Sequence, residues 1–390
     1  MENREKIVAI YGTKSRAITV YNQLKNDDQI HIKYFVYPDK DYIYDNGAEN
    51  PKSLINSPKI DRIFDCDVIS INSLYLKKNE IDMFIIPILN IPRGQILFHQ
   101  IRRQQFREEN VYFADTENIS TYDSEEWLIP YFEFSYLPYL EFHVEDQCNL
   151  NCSACEHFAP LVKKSREPNI EKFKKDISQL KRFIEEIGTI RILGGEPLLN
   201  KDISLYFIFT RKLYPDADIC IVTNGLLLKD ISDELLNKMK EYNIGFDVSL
   251  YPPMKDHIHN VVERIKLKGI NVNVSDLVEN FYKRFTLVST NNGEREFSNC
   301  FQSFCNNLYD GKIAACFLPF TQHYFNEQFG YNIPSDGAID LYDPSLTTVK
   351  LKIQLAASFE RCNYCTSAHP SEWKRAQTKP TLSDWVVQEP

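Results

Sequence analysis

The chain has 390 residues, which is too long for one hydrophobic core and predicts two or three domains of about 150 residues each. With 43% hydrophobic and 25% charged residues, its composition is that of a globular protein and excludes a mainly disordered chain. The net charge of −9 excludes a general nucleic-acid binder. No stretch approaches the roughly 18 apolar residues of a membrane span, and the start of the chain shows no signal-peptide cleavage site. We therefore predict a cytoplasmic protein.

The first 116 residues alternate between strand-like and helix-like patterns. Strand-like apolar runs recur at residues 6–11, 30–36, 67–72, 83–88 and 111–114. Helical periodicity between them is typical of βαβ units and a parallel sheet. The turn at 12–16 lies where a Rossmann domain binds phosphate, but it lacks the G-x-G-x-x-G pattern. We predict a Rossmann-like open sheet over 1–116 and a polar linker over 117–137.

A second βα series begins with the strand at 139–145 and continues to a strand at 270–274. Its first helix is predicted to begin after Asn169 and to end at Gly188. The fold class is therefore α/β, with a partial (β/α)6 barrel over 138–284 whose chemistry gathers at the carboxyl ends of the strands. The period is lost from about residue 285, and a small cysteine-containing domain is predicted over 285–390.

Eight of the ten cysteines fall in two groups, as ligands of a metal or cluster do. Cys148, Cys152 and Cys155 form C-x3-C-x2-C on the loop after a strand, so three thiolates can converge on one centre. A structural zinc ion usually takes four ligands. A cubane iron-sulfur cluster held by three thiolates leaves one iron open to a small molecule. Zinc and a purely structural cluster remain alternatives at this point.

Polar residues follow the next three strands of the series. Gly194, Gly195, Glu196 and Pro197 come first; two glycines let a backbone approach a ligand, and the carboxylate can accept from an ammonium group. The later strand ends carry Thr223, Asn224 and Ser249. For each position, an ordinary turn or cap is the alternative interpretation.

The cysteine spacing in CNLNCSACEHFAP and the Gly-Gly-Glu-Pro segment together resemble the signature of radical S-adenosylmethionine (radical SAM) enzymes. The resemblance implies that the three cysteines hold a catalytic [4Fe-4S] cluster and that residues 194–197 contact the amino group of S-adenosylmethionine (SAM). It also implies that Thr223, Asn224 and Ser249 bind the ribose or carboxylate of SAM.

The chain departs from the family at the residue before the third cysteine. The family commonly has an aromatic residue there, against the adenine, whereas this chain has Ala154. Phe158 or His157 is the candidate replacement, and a packed Phe and an ordinary His are the alternatives. No G-x-I-x-G-like segment follows the strand at 270–274.

The second cysteine group comprises Cys300, Cys305, Cys316, Cys362 and Cys365. A hairpin turn at Asp310-Gly311 precedes its third member, and its last two form C-x2-C, which can clip one metal. The pattern resembles the auxiliary-cluster half of SPASM and twitch domains, and it implies one auxiliary [4Fe-4S] cluster on four of the five thiols. A zinc clip is the alternative, and the choice between Cys300 and Cys305 is open. Cys66 and Cys220 are predicted to be buried core thiols.

The resemblance implies a radical SAM enzyme, of oxidoreductase or isomerase/lyase type, that reductively cleaves SAM to a 5′-deoxyadenosyl radical and takes hydrogen from a substrate. It implies a cellular reductant such as flavodoxin or ferredoxin. The Rossmann-like segment favours a carbohydrate or nucleotide-linked small molecule, which would be oxidised, epimerised or rearranged. Maturation of a ribosomally made peptide is the second hypothesis, and a non-enzymatic iron-sulfur or zinc protein is the third.

Overall fold

The computed structural model describes residues 4–37, 61–87, 94–116, 127–164, 169–376 and 379–387. The chain divides into two compact units, Met1–Pro138 with Thr348–Ile353, and Tyr139–Thr347 with Gln354–Pro390. The finer predicted division, at 116, 137 and 284, stays a prediction. No helix in the described part of the chain is both long and apolar enough to cross a membrane.

The first unit is built on one open sheet. Its strands are β1 Lys6–Tyr11, β2 Ile30–Tyr37, β3 Arg62–Ile63, β4 Cys66–Ser70, β5 Met83–Ile86, β6 Val111–Ala114 and β7 Leu128–Pro130. Its helices are α1 Ser15–Leu24, α2 Leu74–Lys77 and α3 Gly94–Arg103. The strand order is β3-β4-β2-β1-β5-β6-β7.

The five inner strands of this sheet, β4, β2, β1, β5 and β6, are parallel, and β1 lies at their centre. In a Rossmann-type sheet the first strand lies in the middle, and later strands are added on either side of it. The predicted Rossmann-like architecture is therefore confirmed. Alternate apolar residues make it stable: Val8 and Ile10 of β1 pack with Ala17 and Val20 of α1.

Part of the predicted linker forms a strand. Residues 128–130 form β7, which pairs antiparallel with β6 at the edge of the sheet. The pairing is stabilised by Trp127, which is 2% exposed and belongs to the hydrophobic core of the first unit. Three residues are too few to show a period in the sequence, which is why the strand was missed. Residues 117–126 of the predicted linker lie outside the described part.

The second unit contains a longer sheet and a small one. Its strands are β8 Tyr136–Glu145, β9 Glu186–Gly194, β10 Asp218–Thr223, β11 Gly245–Val248, β12 Val272–Val274, β13 Asn280–Phe285, β14 Asn307–Tyr309, β15 Lys312–Ala314, β16 Ile339–Asp340 and β17 Cys365–Glu372. The helices after β8 are α4 Ile170–Lys181, α5 Ile203–Leu213, α6 Asp233–Glu241, α7 Ile258–Leu267, α8 Gly293–Asn299, α9 Leu318–Phe329 and α10 Thr348–Leu355, and most of α10 belongs to the first unit.

The long sheet has the order β12-β11-β10-β9-β8-β14-β15-β16, so β8 to β12 lie side by side in chain order. β9 to β12 are parallel, and β14 joins the other side of β8 in parallel. Sequential strands with helices between them are the pattern of an α/β barrel, and here the sheet forms a partial one, as predicted. The loops after β8, β9, β10 and β11 therefore begin at one edge.

Two helix starts in this unit follow the predicted capping chemistry. The Asn169 side chain accepts a hydrogen bond from the backbone of Lys172 at 3.0 Å, and the Ser232 hydroxyl accepts one from Leu235 at 3.2 Å. The predicted helix end at Gly188 is wrong, because α4 ends at Lys181 and Gly188 lies inside β9. The error arose because apolar residues at the start of β9 happen to continue the three-to-four-residue spacing of the apolar residues in α4.

We call the part of the second unit from residue 285 onward the tail. A hairpin joins the tail to the barrel strands. β14 and β15 pair antiparallel, and both turn residues, Asp310 and Gly311, have positive φ, at 49° and 76°. Positive φ at both central positions defines the type I′ turn that the Asp-Gly sequence favours. The hairpin places Cys316 just beyond β15.

Candidate metal centres

The first cysteine group lies on the loop that leaves β8. Two residues of this loop, Asn151 and Ala154, have left-handed backbone with φ of 60° and 59°, and each directly precedes a cysteine. Such a conformation is unfavourable for alanine by roughly 1–2 kcal/mol. The loop therefore turns sharply before Cys152 and again before Cys155, which bends a short segment around one point.

The three thiols of this loop influence one another. Burial raises the pKa of Cys152 and of Cys155 to about 12, and in both cases the charge of a neighbouring thiolate raises it further. Burial also raises the pKa of Cys148. Buried thiolates that repel one another need a cation to hold them deprotonated. The residues present therefore fit a positively charged metal centre.

Nitrogen donors surround the sulfur atoms. The Leu150 backbone and the Asn224 side-chain amide donate to Cys148 Sγ at 3.4 and 3.5 Å, and the Trp373 indole donates to Cys152 Sγ at 3.2 Å. Hydrogen bonds to sulfur are one way in which a protein tunes an iron-sulfur cluster.

Gly194 and Gly195 pack directly against the backbone that leads into the cysteine loop. A Cβ atom on Gly194 would lie 1.8 Å from the Glu145 carbonyl oxygen, and one on Gly195 would lie 2.3 Å from that of Gln147. The Gly195 and Glu196 amides donate to these same two carbonyl oxygens at 2.7 and 2.8 Å. The glycines thus have a structural requirement that the sequence did not reveal: they let the end of β9 reach the cysteine loop.

Glu196 links the ends of β9 and β10. Its side chain is fully buried, and it accepts hydrogen bonds from the Thr223 hydroxyl at 2.8 Å and from the Asn224 and Leu198 amides at 2.9 and 3.1 Å. Burial raises the pKa of this carboxyl, and the three hydrogen bonds oppose the rise. A carboxylate has about four acceptor positions, so it retains room for one further donor.

Several predicted cofactor residues therefore meet at one place. Thr223 and Asn224 contact Glu196, Pro197 begins a buried turn directly after it, and Asn224 also reaches the first cysteine. The Ser249 amide donates to the Thr223 carbonyl oxygen at 3.0 Å, which places the end of β11 beside the end of β10.

Tyr251 was not predicted from the sequence. It follows Ser249 on the loop after β11 and hydrogen-bonds to the Ser249 side chain, and burial, followed by the charges of Cys152 and Cys155, raises its pKa. Its phenol therefore lies close to the thiols. Its position just beyond a strand end was the only available signal.

Phe158 and His157 lie in a hydrophobic cluster shared with the tail. Phe158 is 3% exposed and packs near Phe325 and Trp385, with ring centroids 5.5 and 6.3 Å away. The His157 ring lies tilted by 30° against that of Phe317, with centroids 3.9 Å apart, and burial lowers the pKa of His157 to about 3. The alternative interpretation, a packed Phe, describes these contacts; an adenine contact stays a prediction.

Four cysteines of the second group line one cavity of about 360 Å³: Cys300, Cys316, Cys362 and Cys365. Burial raises the pKa of Cys300 and of Cys362 to about 12, and the Cys365 thiolate contributes to both shifts. Burial also raises the pKa of Cys316, to which the other three contribute. The structure thus brings these four thiols together.

Cys305, the fifth candidate, does not line this cavity. Burial raises its pKa, and the largest charge effect comes from Glu141, a buried carboxyl on β8 whose own pKa burial raises to about 7. Glu141 accepts hydrogen bonds from Tyr139 at 3.1 Å and Asn307 at 3.2 Å. The sequence left Cys300 and Cys305 equivalent, and packing separates them.

Arg361 also approaches the second group and was missed by sequence reasoning. It is 1% exposed, its guanidinium donates to Cys365 Sγ at 3.2 Å, and Gln322 accepts from its Nε at 2.7 Å. A buried cation beside a thiolate offsets negative charge. Its position one residue before Cys362 was the only signal.

The remaining cysteines lie outside both groups, and all ten are free thiols. Cys66 is 2% exposed and belongs to the core of the first unit, and Cys220 is 8% exposed on β10. Within the described part of the chain, no three His, Cys, Asp or Glu side chains are spaced to hold a single metal ion. A cubane cluster differs from a single ion in that each thiolate binds its own iron atom.

Comparison with known proteins identifies one domain of the chain. Residues 144–288 match the model of the Radical SAM superfamily, and this range includes the first cysteine group and the ends of β9, β10 and β11. The chain contains a radical SAM domain. Radical SAM proteins use a [4Fe-4S] cluster and SAM, which agrees with the thiols and polar groups gathered here.

The similar curated proteins include GTP 3′,8-cyclases. That of Campylobacter jejuni is 39% identical over 135 residues, which are 34% of this chain and 42% of that protein. That of Nautilia profundicola is 31% identical over 154 residues, 36% of this chain and 48% of that protein. This chain therefore spans less than half of the length of these relatives.

Solved radical SAM proteins give weaker matches. BtrN in complex with AdoMet and 2-DOIA matches with a TM-score of 0.36 and 18% identity, over 65% of this chain and 98% of that chain. SuiB of Streptococcus suis bound to its precursor peptide SuiA matches with a TM-score of 0.29 and 19% identity, over 36% and 33%. These values carry no information on substrate.

The close contact of Gly194 with β8 predicts that Gly194→Ala strongly lowers both the stability of the protein and its iron content. The new Cβ would overlap the Glu145 carbonyl, which cannot move without breaking the pairing at the end of β8. We expect a lower melting temperature and loss of iron from the radical SAM domain after anaerobic reconstitution.

Gly330→Ala is the matched control, because Gly330 also has positive φ, 73°, but no atom lies within 4 Å of its added Cβ. It should lose roughly 1–2 kcal/mol of stability and keep its iron. Equal iron contents in the two variants would contradict this account of Gly194.

Proposed function

We propose that this protein is a radical SAM enzyme whose catalytic [4Fe-4S] cluster is held by Cys148, Cys152 and Cys155. The observation that carries the proposal is the convergence of these three thiols, of which Cys152 is buried and the other two are partly buried, with Glu196 and Asn224 at one edge of the partial barrel. Three thiolates suit a cubane with one open iron. When bound, the cluster and SAM together supply a 5′-deoxyadenosyl radical that takes a hydrogen atom from substrate.

The protein's own groups position SAM. Glu196 retains acceptor capacity beside the cysteine loop, and we assign it to the ammonium group of the methionine moiety. Thr223 and Asn224 orient this carboxylate by donating to it, and Ser249 and Tyr251 extend the same polar edge. Glu196, Thr223 and Asn224 are buried, and the exclusion of water from them strengthens their electrostatic contacts.

We further propose that Cys300, Cys316, Cys362 and Cys365 hold one auxiliary [4Fe-4S] cluster. Their shared cavity and mutual charge effects support four thiolate ligands, and Arg361 offsets part of the negative charge. Cys305 is left out, because it does not line this cavity.

A nucleotide-linked or carbohydrate small molecule is the substrate class that we propose. The similar curated proteins are named for GTP, a nucleotide. In addition, Lys283 and Arg295 line the cavity of the tail cysteines, where they can meet a phosphate group, whereas Arg284 in the same lining pairs with Glu156 at 3.4 Å. A ribosomally made peptide is the second candidate, favoured only by the resemblance of the tail to SPASM and twitch domains.

Replacing Cys148, Cys152 and Cys155 together by Ala should abolish the cleavage of SAM and leave the auxiliary cluster in place. The reason is that only this group provides three thiolates beside the proposed SAM pocket. The measurement is 5′-deoxyadenosine formed under anaerobic reducing conditions, with iron content as the control. Product formation by the triple variant would refute the assignment, and its absence from the wild-type protein would favour a non-enzymatic role.

Cys300→Ser should lower the iron content from roughly eight to roughly four atoms per chain, because one of two cubanes loses a ligand. Cys305→Ser is the matched control and should keep both clusters. Iron analysis with electron paramagnetic resonance (EPR) of the reconstituted variants checks this. The reverse result would assign Cys305, and zinc in the tail of the wild-type protein would reject the auxiliary cluster.

The substrate class is tested by the rate at which the wild-type protein forms 5′-deoxyadenosine. We expect purine nucleotides or sugar nucleotides to raise this rate above the uncoupled rate, because a bound substrate offers a hydrogen atom close to the radical. Peptides with the composition of precursor peptides should leave it unchanged. Stimulation by peptides alone would favour the second candidate.

A further inference from the structure

A segment near the end of the chain lies against the radical SAM cysteine loop. We call it the strap, residues 373–376 and 379–385. The backbone of 374–376 pairs with that of 151–153 through hydrogen bonds of 2.9 and 2.7 Å, and an antiparallel bridge joins Cys152 to Arg375. The strap thus pairs with the loop as a short extended segment, in the manner of a neighbouring β-strand.

Trp373, the first residue of the strap, makes a direct contact with a thiol. Its indole nitrogen lies 3.2 Å from Cys152 Sγ. Its ring stacks on Tyr251, with centroids 6.3 Å apart and planes inclined by 29°, and its backbone amide donates to the Glu279 carbonyl at 2.8 Å. Ring and backbone are therefore both fixed, and the N–H bond is aimed at the sulfur.

The other end of the strap is fixed to the same loop. The Trp385 indole donates to the Cys155 carbonyl oxygen at 2.9 Å, and the Ser153 hydroxyl donates to Asp384 at 2.7 Å. Trp385 is 3% exposed, and its ring packs near Phe158. Two indole donors thus contact one loop, but only Trp373 reaches a sulfur atom.

We propose that Trp373 is a positioning residue that raises the reduction potential of the catalytic cluster through its hydrogen bond to Cys152. The inference rests on the proposed function, since Cys152 must be a cluster ligand. One-electron reduction by an external donor adds a negative charge to the cluster without a proton. An N–H donor on a ligand sulfur stabilises the more negative form, so it favours reduction.

The test compares Trp373→Phe with Trp385→Phe in the reconstituted full-length protein. Both changes remove an indole donor from the strap, but only the first removes it from sulfur. The measurement is an EPR-monitored dithionite titration that follows the signal perturbed by SAM, which belongs to the cluster with the open iron. We expect a more negative midpoint potential for Trp373→Phe and an unchanged one for Trp385→Phe.

A second variant protects the test against misfolding. Replacing Trp373 by benzothienylalanine puts sulfur in place of the indole N–H in a ring of the same shape, so packing is kept and only the donor is lost. It should shift the potential as Trp373→Phe does. An unchanged potential in this variant, or equal shifts in both strap variants, would overturn the proposal. Failure of the proposed function would be seen separately, as a wild-type protein without a signal that SAM perturbs.

Discussion

The site in the second unit depends on a close backbone contact between two neighbouring strand ends. Gly194 and Gly195 approach the carbonyl groups of Glu145 and Gln147 so closely that any Cβ atom would overlap them, and amides from the end of β9 donate to these same groups. Because the cysteine loop begins at these carbonyl groups, the contact fixes where the loop starts. It also fixes where Glu196 points, and hence the distance between the thiols and the polar groups of the adjoining strands.

Burial then determines the chemistry. Thiols removed from water resist ionisation, and the pKa values of Cys152 and Cys155 rise to about 12, so the apo site favours neutral sulfur. A metal cluster reverses this preference because it supplies positive charge to several thiolates at once. Loading is therefore expected to release protons and to stabilise a loop whose left-handed residues, Asn151 and Ala154, are unfavourable on their own. Cluster binding would thus stabilise both the strained loop and the thiolates.

A single strand joins the two cysteine groups. β17 begins at Cys365, in the cavity of the auxiliary group, and ends directly before Trp373, which contacts Cys152. It pairs with β13 over most of its length, so the connection is a stiff one. The tail and the first cysteine loop are therefore joined by backbone and by one indole ring.

The sequence by itself determined the two α/β units, the hairpin before Cys316, the composition of both cysteine groups and the Gly-Gly-Glu-Pro segment, because periodicity, caps, turns and ligand spacing are local. It failed where local patterns were ambiguous: apolar residues at the start of β9 imitated the end of a helix, and β7 was too short to show a period. The sequence treats Cys300 and Cys305 alike, and only the tertiary structure shows that Cys300 lines the cavity of the tail cysteines whereas Cys305 does not. Only the tertiary structure brought Trp373 to Cys152, because partners 221 residues apart share no local pattern and meet only when the chain has folded.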